Sequence, residues 1–320
     1  MARTNRAARI VLPILLLTLA AAAHAQDGNY LIAIDSIETR LRSGQLNVVD
    51  NRGSRAQGDR TQRIVLSYPD GNSLLAKLAK APYGGGEFNN EPRYEVGAYE
   101  VQRLFLDPVD YVVPPTVMRA VPLAWLREYD SGASRTFDQA SNSAVIVLQY
   151  WLLQVTPENF YDRDRARTDS AYARYLGNFN ILTHLIRHND ANTGNFLISQ
   201  SEKPRVFSVD NGVAFESEVS DRGYEWRNIR VERLSRATID RLRTVTPDRL
   251  REALGVLAQF RIENGQLFSA PRTENLDRNR GIRRRDDVVQ FGLTEREIRG
   301  VENRIRSLLE KVDKGDIVVF

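Results

Sequence analysis

The spacing of hydrophobic residues changes along the chain, from short apolar runs in the first half to helical periods in the second. Apolar runs bounded by turn residues predict strands over Leu46–Val49, Arg63–Tyr68, Ser73–Ala81 and Thr116–Val121. The sequence Pro-Asp-Gly-Asn at residues 69–72 predicts a hairpin turn between the second and third of these strands. The run Ala144–Val155 is too continuous to assign to strand or helix.

Three segments carry hydrophobic residues at helical spacing. The first begins at Pro92, which suits the first turn of a helix, and must end near Leu106 because a proline follows at position 108. The second covers Ser170–Arg187, and the third opens on a capping box at residues 294–297. A strand-rich first half with one helix, then a helix-rich second half, predicts an α+β protein of two lobes with a cleft between them.

The first 25 residues have the pattern of a secretory signal. A basic start precedes the apolar core Ile10–Ala23, and Ala23-His24-Ala25 is a small-x-small cleavage site. The core is shorter than the roughly 20 residues of a membrane span, so that an uncleaved anchor is the minor alternative. Cleavage would remove three arginines and no acidic residue, and the net charge would fall from +4 to +1. Nucleic-acid binding thereby loses its main support.

Composition excludes several kinds of site. The chain contains no cysteine, which rules out zinc–thiolate centres and cysteine nucleophiles. Beyond the signal the only histidines are His184 and His188, which lack metal-ligand spacing to another histidine, and no Gly-x-Ser-x-Gly is present. The basic cluster at residues 280–285 is followed by Asp286 and Asp287, and is predicted to be a solvated loop.

A predicted hairpin near residue 200 brings two oxygen-bearing side chains together. The apolar runs Phe196–Gln200 and Arg205–Val209 flank the turn-forming sequence Ser-Glu-Lys-Pro. When the facing ends of these runs pair, Asn195 lies opposite Asp210, with Cα atoms about 4.5–5.5 Å apart. That separation suits a shared hard cation such as Mg²⁺, which takes oxygen ligands and completes its shell with phosphate and water.

Asp190 lies five residues before Asn195, in the turn that leads into this hairpin. A carboxylate at that point can accept a proton from an incoming hydroxyl. The spacing Asp-x-x-x-x-Asn also occurs in the catalytic loop of protein kinases, where a metal-binding aspartate follows on the next strand. A polar loop built from ordinary turn residues is the alternative, but the following strand and the Asp-Asn-Gly sequence at residues 210–212 favour a site.

A strand lysine, a helix glutamate, Asp-x-x-x-x-Asn and a strand-end aspartate follow one another in the order that resembles the protein-kinase-like fold. Arg187–Phe196 and Val209–Phe215 resemble the type II phosphatidylinositol 4-kinases. Glu95–Tyr99 and Val112–Thr116 resemble the secreted casein and glycan kinases of the Golgi, and the HipA-type bacterial kinases are more distant. The resemblance covers residues 63–216 and implies a strand-rich N-lobe over residues 26–150 and a mostly helical C-lobe over residues 151–320.

The resemblance implies ATP and Mg²⁺ or Mn²⁺ as cofactors, and a hydroxyl-bearing substrate. Asp190 would orient or deprotonate the acceptor hydroxyl, and Asn195 and Asp210 would hold the metal ions that bridge the ATP phosphates. Glu95 would pair with a strand lysine that contacts the α- and β-phosphates, and Lys77 and Lys80 compete for that role. They are three residues apart and face opposite sides of the strand; Lys77 is preferred because apolar residues flank it.

Two departures from the typical kinase pattern stand out. The polar loop Asn51–Gly58 does not have the sequence Gly-x-Gly-x-x-Gly, so that it gives only weak support for phosphate binding. Position 192, two residues after the predicted base, is asparagine, where typical protein kinases have lysine. Either a different group neutralises the transferred phosphate, with Arg187 and His188 as the nearby candidates, or turnover is slow.

These features predict an exported, metal-dependent ATP phosphotransferase of the atypical kinase class. The acceptor would be a hydroxyl on a protein, a glycan or a lipid headgroup, with lipid least favoured because no amphipathic membrane-binding stretch stands out. The alternative is a catalytically inactive kinase-fold binding protein in the periplasm or extracellular space, where ATP is scarce. A third interpretation is a small-molecule phosphotransferase of the antibiotic-resistance type, which should lack the Val-Pro-Pro-Thr sequence at residues 113–116.

Overall fold

The computed structural model describes residues 28–53, 61–87, 91–158 and 161–320. The predicted signal at residues 1–25 and most of the loop Asn51–Gly58 lie outside the described residues. The first three residues of that loop, 51–53, form the end of a strand. None of the helices in the described part of the chain is both long and apolar enough to cross a membrane.

A five-stranded antiparallel sheet forms the first part of the molecule. Its strands are β1 (Asn47–Gly53), β2 (Thr61–Ser67), β3 (Ser73–Lys80), β4 (Thr116–Pro122) and β5 (Ser143–Tyr150), in the order β1-β2-β3-β5-β4. The predicted turn connects β2 to β3, with Gly71 at a φ of 81°, where a side chain would be strained. The ambiguous run from Ala144 is strand β5, and every residue of it is buried because it lies inside the sheet, between β3 and β4.

Three helices accompany this sheet, where the sequence predicted one. They are α1 (Ile34–Ser43), α2 (Pro92–Gln102) and α3 (Leu123–Tyr129). α1 and α3 pack in one hydrophobic cluster with buried residues of β2, β3, β4 and β5, and the half-buried Val48 of β1 packs against this cluster. α2 belongs to the other cluster, together with residues of β4 and β5. That second cluster continues into the later helices, so that α2 lies between the sheet and the rest of the protein.

The remaining helices are α4 (Arg163–Thr168), α5 (Ser170–Leu185), α6 (Arg236–Arg243), α7 (Pro247–Gly255) and α8 (Glu295–Asp313). The helix predicted from Ser170 is α5, which is capped by the Asp169 carboxylate. The predicted capping box is present at the start of α8, where the Thr294 and Glu297 side chains each accept from the other residue's backbone N–H. A short parallel pair, β9 (Arg233–Leu234) and β14 (Val318–Val319), holds the C-terminal end.

Helix α2 is attached to helix α8 by a buried ion pair. Arg93 donates two hydrogen bonds to the carboxylate of Glu297, at 2.7 and 2.9 Å, and the Tyr94 hydroxyl donates a third. Burial alone would raise the pKa of Glu297, but the Arg93 guanidinium outweighs burial and keeps that pKa below its ordinary value. Glu297 is therefore ionised, and the start of α2 is fixed against the C-terminal helix.

Replacing Glu297 by alanine is expected to lower the free energy of unfolding by about 3 kcal/mol, because the buried Arg93 charge loses the carboxylate that accepts two of its hydrogen bonds and keeps only Glu91 at 3.1 Å. Urea denaturation followed by circular dichroism measures this change. The double variant Arg93→Met/Glu297→Leu removes both charges and is expected to lose less than Glu297→Ala alone. Equal losses in the two proteins would contradict the assignment of the effect to an unpaired charge.

The predicted hairpin after Asp190 is present, but its register was predicted wrongly by one residue. A three-stranded sheet contains β6 (Val155–Thr156), β7 (Phe196–Ser199) and β8 (Val206–Ser208). Phe196 pairs with Ser208 rather than with Val209, and Ser199 rather than Gln200 faces Arg205. Asn195 consequently lies opposite Val209, whose N–H donates to the Asn195 carbonyl at 3.0 Å, and Asp210 is one residue further on.

A four-stranded antiparallel sheet in the second half was not predicted from the sequence. It consists of β10 (Ala258–Glu263), β11 (Gln266–Ser269), β12 (Ile282–Arg285) and β13 (Val288–Phe291), in the order β11-β10-β13-β12. The basic cluster at residues 280–285, predicted to be a solvated loop, is largely strand β12, so that this prediction was wrong. Arg283 is only 2% exposed and donates hydrogen bonds to the backbone carbonyls of Asp277, Gly255 and Leu293.

Candidate functional site

Lys77 of β3 lies at the centre of a three-residue ion-pair cluster. Its ammonium is 3.2 Å from the Glu95 carboxylate on α2, and it also donates to the Asp210 carboxylate. The side chains of Lys77 and Glu95 are 16% and 10% exposed, whereas the Asp210 side chain is 56% exposed. The cluster therefore has a covered side, between β3 and α2, and an open side at Asp210.

The electrostatics of the cluster keep Lys77 and Asp210 charged. Burial alone would lower the pKa of Lys77, but the carboxylates of Glu95 and Asp210 outweigh it and hold that pKa above its ordinary value. The Lys77 ammonium in turn lowers the pKa of Asp210, against the opposing effect of burial. At neutral pH the site thus presents a lysine cation directly beside an exposed aspartate anion.

Lys80, the competing lysine, is placed in a different environment. It forms an ion pair with Asp130, the residue that follows α3. Among the described residues it makes no hydrogen bond or ion pair with Glu95 or Asp210. The two lysines are three residues apart on β3, so that their side chains leave opposite faces of the sheet. Of the two candidates, the structure brings only Lys77 together with the other predicted site residues.

Asp190 is held in a fixed orientation by two asparagine side chains. The Asn192 amide donates to one carboxylate oxygen at 2.9 Å, and the Asn195 amide donates to the other at 2.7 Å. The Asn195 amide also donates to the Asp190 carbonyl at 2.9 Å. The Asp-x-x-x-x-Asn spacing therefore forms a compact loop that fixes the position of the Asp190 carboxylate. Asp190 as a whole remains 9% exposed.

His188 is a structural residue of this loop rather than a phosphate ligand. Its ring is fully buried, and its Nδ1 accepts a hydrogen bond from the Asp190 backbone N–H at 3.2 Å. Burial lowers the pKa of His188, so that the ring is neutral. The suggestion that His188 could neutralise a phosphate was wrong, because no side of the ring reaches solvent.

Arg187, the other candidate, follows the end of α5 and is half-buried. It has a φ of 48°, and its charge helps burial to lower the pKa of the buried Arg304 on α8 to about 10. This places Arg187 near α8, and no hydrogen bond or ion pair of its side chain to Asp190 or Asp210 is found among the described residues.

Asn195 and Asp210 are the residues that could hold a divalent metal ion. Asn195 directs its amide nitrogen to Asp190, and its amide oxygen makes no hydrogen bond with the described residues. Asp210, at a strained φ of 54°, extends its carboxylate into the open side of the cluster. One carboxylate and one amide oxygen fit Mg²⁺, which keeps several waters and takes its remaining ligands from substrate phosphates.

The described residues contain no group of three or more histidine, cysteine or acidic residues that could hold a metal without further ligands. An ion at Asn195 and Asp210 would accordingly depend on oxygens that come with the substrate. Loss of the nucleotide phosphates should then weaken metal binding as well, which is the behaviour expected of a shared metal–nucleotide site.

Two buried asparagines contribute to the site that sequence reasoning did not single out. The Asn211 backbone N–H donates to Glu95 at 3.1 Å, so that the residue after Asp210 is attached to α2. The Asn189 side chain donates to the Ser217 carbonyl at 2.8 Å and accepts from Arg227 at 3.0 Å. Both asparagines directly adjoin a predicted site aspartate, which was the only sequence signal that could have identified them.

Comparison of the whole chain with known proteins identifies its fold. No family model matches the chain, and no curated protein matches it. Among solved structures it is similar to hydra Fam20 with sugar, with a TM-score of 0.53 and 15% sequence identity over 90% of this chain and 92% of that chain. The fold is therefore a kinase-like α+β fold, as the sequence predicted.

The likeness to hydra Fam20 bears on the three resemblances drawn from the sequence. It shows a fold shared with hydra Fam20 and gives no support to the resemblances to the type II phosphatidylinositol 4-kinases or the HipA-type kinases. At this level of identity the comparison speaks for the fold alone. The roles of the individual side chains have to be argued from their own geometry.

Proposed function

We propose that this chain is an exported, metal-dependent phosphotransferase that moves the γ-phosphate of ATP to a hydroxyl. The observation that carries the proposal is the meeting of Lys77 with both Glu95 and Asp210. A lysine held by a helix glutamate beside a metal-binding aspartate is the part of a kinase that must be in place for transfer. Asp190 and Asn195, joined by a 2.7 Å hydrogen bond, complete the set.

The roles of the residues follow from their charge and position. Lys77 would bind the α- and β-phosphates, and Glu95 would hold Lys77 in position. Asn211, which is bonded to Glu95, would hold the neighbouring Asp210 in position. Asn195 and Asp210 would hold Mg²⁺ or Mn²⁺, which supplies neutralising charge on the phosphate oxygens when bound. Asp190 would orient the acceptor hydroxyl and accept its proton. Positioning and charge neutralisation then account for the reaction without a covalent intermediate.

The acceptor is proposed to be a hydroxyl on a glycan or a protein, with a lipid headgroup third. The similarity in fold to hydra Fam20 with sugar favours a carbohydrate acceptor. Export through the predicted signal at residues 1–25 would place the enzyme where glycans and secreted proteins are its neighbours. The division into lobes at residues 26–150 and 151–320 is proposed on the same kinase-like pattern.

The lysines provide the test of this function. Residues 26–320 are incubated with [γ-³²P]ATP and Mg²⁺ or Mn²⁺, and transfer to the chain itself, to casein and to glycosaminoglycan fragments is measured. Lys77→Met is expected to lower kcat/KM at least about 100-fold, because it removes the group that stabilises the phosphates. Lys80→Met is the matched control on the same strand and should stay within about threefold of the wild type, since Lys80 pairs with Asp130 and not with Glu95 or Asp210.

Two outcomes would contradict the proposal. A wild-type protein that neither binds ATP nor transfers phosphate with either metal is a kinase-fold binding protein instead. A protein in which Lys80→Met is as damaging as Lys77→Met would show that the wrong lysine has been assigned to the nucleotide.

A further inference from the structure

The proposed transfer leaves one charge unaccounted for. Asn192 stands two residues after Asp190, where typical protein kinases have lysine, and an amide carries no charge to neutralise the moving phosphoryl group. Its side chain is also occupied, because it donates to Asp190 at 2.9 Å and accepts from the Gly194 N–H at 2.8 Å. Lys77 is engaged with Glu95 and Asp210. If the proposed function holds, another cation should reach the γ-phosphate.

The segment that follows Asp210 returns to the vicinity of Asn192. The Ser220 N–H donates to the Asn189 carbonyl at 2.9 Å, next to Asp190. A Cβ added to Gly223 would lie 3.6 Å from the Cβ of Asn192, which places the backbone of residue 223 in contact with that side chain. Residues 220–223 are therefore anchored on both sides of the Asp190 loop.

Gly223 is suited to this close approach. Its φ of 115° lies in the region that only glycine adopts readily, and a side chain there would also meet the Glu225 carboxylate at 3.1 Å. The turn that carries residues 221 and 222 is thus shaped by a glycine packed against Asn192. The Arg222 backbone N–H is held by the Ser220 hydroxyl at 3.1 Å, which fixes where the Arg222 side chain begins.

Arg222 is the arginine of this segment that is not engaged by the protein. Its side chain is exposed and makes no hydrogen bond, ion pair or ring contact with the described residues. Arg227, by contrast, donates to Asn189 and stacks on Tyr224 at 4.1 Å, and Arg230 stacks on Trp226 at 5.2 Å.

We propose that Arg222 contacts the γ-phosphoryl group of ATP and neutralises its charge during transfer, in place of the lysine that is absent at position 192. This assignment rests on the proposed function. In the step itself the acceptor oxygen forms a bond to the γ-phosphorus while the bond from that phosphorus to the β,γ-bridging oxygen breaks. ADP leaves with the electron pair, the hydroxyl proton passes to Asp190, and Arg222 keeps its protons throughout.

An arginine that stabilises the transferring group should affect the transition state more than nucleotide binding. Arginines supplied in this way contribute about 10³–10⁵ in kcat in other phosphoryl-transfer enzymes, and single electrostatic donors about 10²–10³. Arg222→Ala is therefore expected to lower kcat for transfer, or for ATP hydrolysis if no acceptor is added, at least about 100-fold, with KM for ATP changed by less than about threefold. Arg222→Lys should recover part of the loss.

The experiment compares Arg222→Ala, Arg222→Lys and Arg284→Ala with the wild type. Arg284 is an exposed arginine of β12 whose side chain makes no hydrogen bond or ion pair with the described residues. Its removal controls for the loss of one surface charge. Affinities for Mg²⁺–ADP and for Mg²⁺–ADP with aluminium fluoride, a mimic of the transferring phosphoryl group, are measured by calorimetry. Only the second affinity should fall in Arg222→Ala, by at least about tenfold.

The outcomes separate this proposal from the function on which it rests. Transfer and aluminium fluoride affinity that are unchanged in Arg222→Ala would overturn the role of Arg222 and leave the phosphotransferase intact. Equal losses of ADP affinity, melting temperature and transfer would assign Arg222 a structural role instead. A wild type without nucleotide binding or transfer would overturn the proposed function and this assignment with it.

Discussion

Replacing Asp190 by alanine is expected to abolish phosphoryl transfer while sparing nucleotide binding. The carboxylate accepts hydrogen bonds from Asn192 and Asn195 and is not itself one of the proposed metal ligands. Removing a general base lowers transfer by about 10²–10⁴. The affinity for Mg²⁺–ATP should change by less than about threefold, since Lys77 and Asp210 remain.

Two further variants, Asp190→Asn and Asp316→Ala, serve as controls for this result. Asp190→Asn preserves the shape of the side chain and should be nearly as inactive as Asp190→Ala, because an amide cannot accept the proton. Asp316 is an exposed aspartate after α8 whose side chain makes no hydrogen bond or ion pair with the described residues. Its removal should leave transfer unchanged. Single-turnover transfer and ATP titrations are measured in parallel. Full activity in Asp190→Asn would remove Asp190 from the role of base.

Local sequence chemistry predicted the elements whose ends are marked by their own residues. The capping box at Thr294, the turn around Gly71 and the helix start at Ser170 each involve residues within a few positions of one another. Such interactions are local in the sequence and do not depend on distant parts of the chain, and the structure contains all three. The α+β class followed from the arrangement of these elements along the chain.

The hairpin register depended on a partner far away in the sequence. The Gln200 N–H donates to the Gln154 carbonyl at 2.8 Å, so that Gln200 is taken out of the hairpin and Ser199 faces Arg205 instead. The connecting loop therefore has five residues rather than four. Because register in a hairpin follows the loop length, no inspection of residues 196–209 alone could have shown the shift.

The sheet of β10 to β13 was missed because its strands are short and partly charged. Arg283 lies in a run of basic residues that is typical of a solvated face, yet three backbone carbonyls satisfy its buried guanidinium. Those carbonyls belong to residues from 255 to 293 and are brought together only by the fold. A buried arginine is acceptable when its donors are all paired, and that condition cannot be read from the sequence.

The choice between Lys77 and Lys80 shows the same limit within the site. Strand periodicity places the two lysines on opposite faces, but it cannot tell which face α2 covers. The position of α2 is set by the Arg93–Glu297 pair with α8, across some 200 residues of chain. Glu95 then meets Lys77, and Lys80 is left to Asp130.

Replacing Asp210 by alanine is expected to weaken the binding of metal and nucleotide together, in contrast to the loss of Asp190. The only carboxylate of the proposed metal pair disappears, and Lys77 loses one of its two anionic partners. Even residues behind a metal ligand alter affinity by about 10–100-fold, so that removal of a ligand should lower Mg²⁺–ATP affinity at least about 100-fold. ATP titrations with and without Mg²⁺ measure this, and the metal-dependent part of the affinity should be lost.

The pair of variants then assigns the two aspartates independently of each other. If Asp210 holds the metal, Asp210→Ala fails to bind Mg²⁺–ATP, whereas Asp190→Ala binds it and does not transfer. Asp210→Asn keeps an oxygen ligand but removes the charge, and should lie between the wild type and Asp210→Ala. Unchanged Mg²⁺–ATP binding in Asp210→Ala would instead mean that Lys77 binds the phosphates without a metal at this strand end, and the metal would have to be sought elsewhere.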